Sequence, residues 1–598
     1  MVVTMWVLLF ACSDYELAGE GDLDGGSSDQ GRPGDDDDCV GGGPAAPTPE
    51  LDESCLNDPA PGSWTPTIEW QWDTNPVYVG YDDIMAAPAV ADVNGDGMPD
   101  VVFASFSGGA YTSRGTITAI SGDGSGTLWS FYDWKGHGAY SSSGVALGDL
   151  EGDGTVEVCF SGTAAAVVCL NGEDGSFAWA AGSQLYGYGR PAMADLNADG
   201  LSEVVFGPEV LGYDGLVLGT GAGHGNWASF AVDWNGDGQL EVVTGSTVFS
   251  MDGTTVLSTG GSDGYPAVGD FDLDGRPDLV TVGGSAVTVW LNDGTQLWST
   301  AVPGSGGGPP TVADFDGDGW PEVGVAGLAY YSMFDTDGNV AWSNPVSDYS
   351  SASTGSSVFD FEGDGAAEVV YADELHLWVF DGATGSIKMQ EEGHASGTLQ
   401  EYPLVVDVDA DGQTEIVLAS NDYAYSGWNG ITVYGDLDQS WADSRPVWNQ
   451  FAYHITNVED DGSIPLVQQE NWLTWNTFRA GGTNLGLGHW LADLWPEDPE
   501  ICLDSCPGEV EVYLPVGSSG MVDAGAFSVA FLDELGGLVL TEERSGLATG
   551  EGVTLGPFTL DRDTWGEGEL WAHVDVLEQV DECIEGDNLV SLGAWPCE

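Results

Sequence analysis

Short runs of apolar residues, three to six long and rich in Val, Ile, Phe and Ala, recur along most of the chain, separated by Gly- and Asp-rich breaks. Runs this short, bounded by turn residues, predict strands rather than helices. In the first unit Pro88–Asp92, Asp100–Ala104, Gly115–Ile120 and Thr127–Ser130 read as four successive strands. The compact unit over 233–269 fits the same four, with Ser229–Asp233, Glu241–Gly245, Thr247–Met251 and Thr255–Thr259. Trp129, Trp179, Trp298 and Trp342 recur in the fourth run. Between the first and second runs one nine-residue motif appears eight times, from Asp92, Asp149, Asp195, Asp233, Asp270, Asp314, Asp360 and Asp407. The spacings are 57, 46, 38, 37, 44, 46 and 47 residues. Such a period marks a propeller or solenoid built of small sheets, and four strands per unit make a propeller blade. The expectation is an all-β, eight-bladed β-propeller, with seven blades as the alternative. Thr65–Trp72, a lone strand-like run before the first unit, is placed to complete the sheet begun at Pro403 and so remove an open edge.

Within the motif, positions 1, 3, 5 and 9 are oxygen-bearing side chains in every copy. They are Asp92, Asn94, Asp96 and Asp100, then Asp149, Glu151, Asp153 and Glu157, then Asp195, Asn197, Asp199 and Glu203, then Asp233, Asn235, Asp237 and Glu241. The later copies supply Asp270, Asp272, Asp274 and Asp278, then Asp314, Asp316, Asp318 and Glu322, then Asp360, Glu362, Asp364 and Glu368, and finally Asp407, Asp409, Asp411 and Glu415. Position 6 is Gly throughout, as a sharp turn requires, and the free variation at position 7 suits a ligand that offers only its carbonyl. Alternating carboxylates around a tight turn are the chemistry of Ca²⁺, a hard cation that takes six to eight oxygens, so up to eight Ca²⁺ are expected. An EF-hand is excluded: Phe103, Phe160 and Phe206 stand where its twelfth-position Glu belongs, and strands flank the loop.

These repeats resemble FG-GAP/VCBS-type units, related to the propeller of integrin α chains, over roughly residues 63–440. The resemblance implies a calcium-stabilised propeller on a surface or secreted protein that works in adhesion or ligand binding. Eight repeats depart from the seven blades of integrins, which weakens any transfer of integrin partners.

At the N-terminus a run of about ten apolar residues is too short to span a bilayer and fits a signal peptide. Leu9-Phe10-Ala11-Cys12 resembles a lipobox, although no Lys or Arg precedes the run. Residues 1–12 are thus expected to be a signal peptide with Cys12 lipidated, on a bacterial envelope or surface lipoprotein, and this is the only expected membrane contact; simple secretion is the alternative. Residues 13–62 read as an acidic Gly/Pro linker. The eight remaining Cys suggest disulfides: Cys159 with Cys169 across a hairpin, Cys39 with Cys55, and three open pairings among Cys502, Cys506, Cys583 and Cys597. A zinc site at Cys502 and Cys506 is the alternative, without a nearby His to support it. Residues 441–507 are dense in aromatics and read as a segment packed over the propeller rim, or alternatively as a carbohydrate-binding surface. Over 508–598, Val510–Leu514, Ala526–Leu532, Gly537–Thr541, Gly552–Leu560 and Glu569–Val576 alternate apolar and polar residues and predict an Ig-like β-sandwich. Gly525-Ala-Phe-Ser-Val and Glu585-Gly-Asp-Asn588 resemble a CARDB domain.

Composition narrows the function. Ten Lys+Arg against 97 Asp+Glu give a formal charge of −87, which repels phosphate backbones and excludes nucleic acid as a partner. The 24 Trp, 20 Tyr and 20 Phe separate the chain from acidic disordered sequences. Eight Ca²⁺ would offset only about 16 of those charges, so the loops alone do not account for the imbalance. No HExxH occurs, the seven His are scattered, and Gly260-Gly-Ser262-Asp-Gly264 lies in a Gly-rich turn rather than on a strand-to-helix elbow. The expected role is non-catalytic binding of an extracellular protein or glycan. The enzymatic alternatives are a polysaccharide-acting propeller or a quinoprotein-like oxidoreductase, suggested by Gly-to-Trp turns such as Gly126–Trp129; the latter has few basic residues with which to hold a quinone.

Overall fold

The computed structural model describes residues 64–482 without a break, most of 492–597, and a few positions at 44–49, 56–57 and 489–490. Cys12, Cys39, Cys55, Cys583 and the Glu585–Asp587 part of the CARDB-like signature lie outside the described residues. Two compact units are present, one spanning 56–491 and the other combining 1–55 with 492–598. The boundary therefore falls before Ala492 rather than at 507/508, and the aromatic segment up to residue 491 belongs with the repeats.

The larger unit is a series of antiparallel four-stranded sheets in sequence order, one per repeat. Sheet 1 consists of Ala89–Ala91, Asp100–Ser105, Arg114–Ser121 and Thr127–Phe131, and is extended by the hairpin Asp133–Trp134 and His137–Tyr140. Sheet 4 consists of Phe230–Val232, Glu241–Val243, Thr247–Phe249 and Thr255–Ser258, within a residue or two of expectation. The first three strands are nearly all buried because each sheet packs face to face with its neighbours, while the fourth is the exposed edge. Sheet 8 has only three strands of its own (Leu404–Val406, Glu415–Ser420 and Gly430–Asp436), and Pro66–Trp72 supplies the fourth, with Trp72 opposite Ile431.

Aromatic residues of the fourth strands tie one sheet to the next. Trp129 of sheet 1 lies over Gly175 and donates from Nε1 to the Gly172 carbonyl at 2.6 Å. Trp298 and Trp342 repeat this on Gly338 and Gly385, donating to Thr336 and Gly382. Trp70, in the N-terminal strand, covers Gly124 of sheet 1 in the same manner. A Cβ at any of these glycines would meet the indole at about 2.6 Å, which is why the turns are Gly.

Residues 441–482 do not lie over a rim. They run inward and meet the first strand, or the residue just after it, of all eight sheets. Val90 and Trp448 exchange backbone hydrogen bonds at 2.9 Å, and Leu147 N–H donates to Asn449. Met193 N–H donates to the Gln450 side chain, and the Phe230 ring lies tilted against that of Phe478 at 4.7 Å. Asp270 N–H donates to the Asn476 amide oxygen, while Val312, Val358 and Asp407 donate to the carbonyls of Phe478, Arg479 and Arg445. Trp448, Phe451, Tyr453 and Phe478 are buried, so this aromatic richness builds core. The fully buried Arg479 guanidinium donates to the carbonyls of Phe451 and Pro310.

The smaller unit holds two antiparallel four-stranded sheets around one core. One contains Leu494–Pro496, Glu500–Cys502, Glu509–Ser518 and Gly552–Asp561; the other Phe527–Asp533, Leu538–Arg544, Glu569–Val574 and Leu589–Ala594. Phe531 and Phe558 meet across the layers at 4.9 Å. Cys506 bonds Cys597 and Cys502 is also disulfide-bonded, which removes the zinc alternative. In the larger unit Cys159 bonds Cys169, its directly opposed residue in the hairpin.

Candidate metal centres

The eight motifs form the loops between the first and second strands, and all share one backbone scheme. The position-1 carboxylate turns back into its own loop and accepts the position-6 N–H at 2.7–3.2 Å in every copy. The position-6 Gly has φ between 84° and 91°, as anticipated. Position 4 is left-handed as well, including where it is Ala198, Leu273 or Ala410. Five glycines among its eight residues were the signal for this. Non-glycine residues in this region cost about 1–2 kcal/mol each, so the loop geometry is imposed at some expense.

Position 9 opens the second strand and is buried in all eight copies. One of its oxygens accepts the position-2 N–H at 2.8–3.1 Å each time, a backbone partner that spacing alone does not reveal. Burial, with the neighbouring carboxylates adding to it, pushes Asp100, Glu157, Glu203, Glu241 and Asp278 up to about 7. Glu322 rises to about 8 for the same reasons. A divalent cation would reverse the effect by favouring the charged form.

In loops 5, 6 and 8 the carboxylate oxygens at positions 1, 3 and 9 converge to within 4.8 Å, as Asp270, Asp272 and Asp278, then Asp314, Asp316 and Glu322, then Asp407, Asp409 and Glu415. The position-5 carboxylates Asp274, Asp318 and Asp411 stand outside these groups. In all eight loops the position-5 Oδ1 instead accepts the position-7 N–H at 2.8–3.0 Å and braces the turn. Loops 1, 3 and 4 carry Asn94, Asn197 and Asn235 at position 3. Three buried oxygens aimed at these loops lack any hydrogen-bond partner: Asp100 Oδ1, Asn197 Oδ1 and Asp407 Oδ1. Loop 8 combines both features, since Asp407 belongs to its converging group, and an orphaned acceptor there is what a hard, oxygen-seeking cation satisfies. The donor sets of loops 5, 6 and 8 could therefore hold a metal cation.

Two fourth-strand residues that the motif does not include also reach these loops. Glu69 is held up to about 7 by burial and by the charges of Asp409 and Asp411 in loop 8. The Lys388 ammonium bonds Glu362 and, at 2.8 Å, Glu368 Oε1 in loop 7.

The FG-GAP-like repeat family matches residues 92–160 and 249–325. No curated protein matches the chain. Among solved structures, the biofilm matrix protein Bap1 of V. cholerae superposes with a TM-score of 0.64 at 21 % identity, covering 70 % of this chain and 99 % of Bap1. The rhamnogalacturonan lyase PL11 of Bacillus licheniformis gives a TM-score of 0.46 at 16 % identity, over 71 % of this chain and 82 % of that one. Rhamnogalacturonan lyase YesW gives 0.45 at 18 % identity with the same coverage. The chain thus carries FG-GAP-like repeats, and the sheet order together with the likeness to Bap1 assigns it a β-propeller-like fold.

Proposed function

We propose that this protein is a calcium-stabilised, eight-bladed β-propeller that binds an extracellular glycan or protein without catalysis. In this reading it is displayed on the cell surface through lipidated Cys12 and carries a C-terminal CARDB-like, Ig-like β-sandwich. The observation that carries the calcium assignment is the convergence of carboxylate oxygens to within 4.8 Å in loops 5, 6 and 8, with orphaned buried oxygens in loops 1, 3 and 8. Closure of sheet 8 by Pro66–Trp72, and the docking of Trp70 on Gly124, support a ring of eight sheets. The core segment 441–482 fills the space where the first strands meet, which leaves the outer faces and the loop ends for ligands. The fold of a biofilm matrix protein, Bap1, is in keeping with an adhesive role.

The test is a glycan array probed with the full chain in Ca²⁺ and in EDTA, alongside thermal melting. Each site saturated a hundredfold above its Kd contributes about 2.7 kcal/mol to the native state. EDTA should therefore lower the melting temperature sharply and abolish array signal. An unchanged melting curve in EDTA would overturn the calcium assignment, and an array blank in both conditions would overturn the glycan arm and leave protein ligands to be screened.

A further inference from the structure

Every fourth strand has a β-bulge at the same register, one residue before the position occupied by Trp129, Trp179, Trp298 and Trp342. In six sheets the bulged residue is aliphatic: Leu128, Ala178, Leu218, Val256, Leu297 and Ala341. In sheet 7 it is Lys388, one of only two lysines in the chain, and in sheet 8 it is Glu69. Lys388 reaches the carboxylates that hold positions 3 and 9 of loop 7, bonding Glu362 and Glu368, with Asp381 at 3.8 Å. It is largely buried there, beside Trp64, whose Nε1 donates to the other Glu362 oxygen at 3.2 Å. The ammonium thus bonds two of the carboxylates, at positions 3 and 9, that the sequence assigns to a cation.

We propose that Lys388 is a built-in cation that replaces Ca²⁺ in loop 7, making the seventh sheet independent of metal while its neighbours depend on it. A point charge with three donors can neutralise part of the cage and satisfy its oxygens, but it also repels a divalent ion from the same space. The longer Glu362, at the position filled by Asp272, Asp316 and Asp409 in loops 5, 6 and 8, fits this exchange, since its carboxylate extends toward the fourth strand. This inference rests on the calcium reading of the other loops.

The experiment compares bound calcium per chain in the wild type, Lys388→Leu and Lys388→Gln, by native mass spectrometry of the full chain after equilibration with CaCl₂. Leu restores the residue type of the other sheets, and Gln keeps length and hydrogen bonding should Leu fold poorly. The expected result is one additional calcium in both variants, lost again when Asp360→Asn is added. Melting temperatures should show the variants more sensitive to EDTA than the wild type. Equal, non-zero calcium in all forms would overturn the role of Lys388 and leave the calcium reading standing. Calcium in the variants only would uphold the lysine's role and overturn the reading of the other loops; none in any form would overturn both.

Discussion

Replacing Glu322 by Gln should change stability in opposite directions with and without calcium. The side chain is 3 % exposed, and its Oε2 accepts the Phe315 N–H at 2.8 Å, a bond the Gln carbonyl can keep. In the metal-free fold its carboxyl is raised from 4.5 to about 8, chiefly by burial and then by the charges of Asp316, Asp314 and Asp318. The native state then binds a proton that the unfolded chain releases, so metal-free stability is fullest below pH 4.5 and falls as pH rises through about 8. At about 1.36 kcal/mol per pH unit, keeping this one group protonated up to pH 7 costs the metal-free fold on the order of 3 kcal/mol. Gln carries neither proton nor charge and escapes that cost. In EDTA, Glu322→Gln should be more stable than wild type by about 3 kcal/mol at pH 7 and about 4 kcal/mol at pH 8, the difference vanishing near pH 4.5. In saturating calcium the order should reverse, because the cation loses one of its carboxylates. Urea unfolding followed by tryptophan fluorescence, run at pH 5 and 8 with EDTA or CaCl₂, reads all four states. Equal destabilisation in EDTA and in calcium would refute both the titration and the cation contact assigned to Glu322.

Trp129→Ala should lose about 3–5 kcal/mol in the same assay, since it removes the indole over Gly175 and orphans the Gly172 carbonyl; a loss under 1 kcal/mol would deny these tryptophans a part in holding the sheets together. Leu273→Gly should stabilise by about 1 kcal/mol, because Leu273 is exposed with φ at +55° and Gly relieves that strain; a destabilised variant would place packing above strain at that loop. Cys12→Ser should move the protein from the detergent phase to the aqueous phase, and identical partitioning of both forms would reject lipidation.

The repeat grammar was legible because it is local. Asp at alternate positions and Gly at position 6 act within one sheet, and the Trp of the fourth run recurs at a fixed place in its unit, so all eight loops and the completing strand Pro66–Trp72 could be read from spacing. Position 5 braces position 7 and stands outside the groups that converge in loops 5, 6 and 8, a second use of a carboxylate that its place in the sequence does not reveal. Lys388 escaped notice since its partners Glu362 and Glu368 lie 26 and 20 residues away and meet it only through strand pairing. The segment 441–482 has aromatics but no strand or helix period, so nothing in its pattern says that it runs inward rather than over an edge. Leu589–Ala594 and the short strands before Gly508 were missed for a related reason, being brief runs without clear alternation.

The inward segment sets an order of assembly. Pro66–Trp72 waits for a partner strand that ends at Asp436, some 365 residues later, and the segment that meets all eight sheets at or just after their first strands is translated later still. Until both have emerged, sheet 8 keeps a raw edge and the first strands lack the backbone partners that they share with Trp448, Phe478 and Arg479. Such long-range closure is slow to form, and partly made chains expose edges that other chains can join. The seven earlier sheets can pair their own strands as they emerge, whereas the eighth and the joining of all eight wait for the last third of the chain.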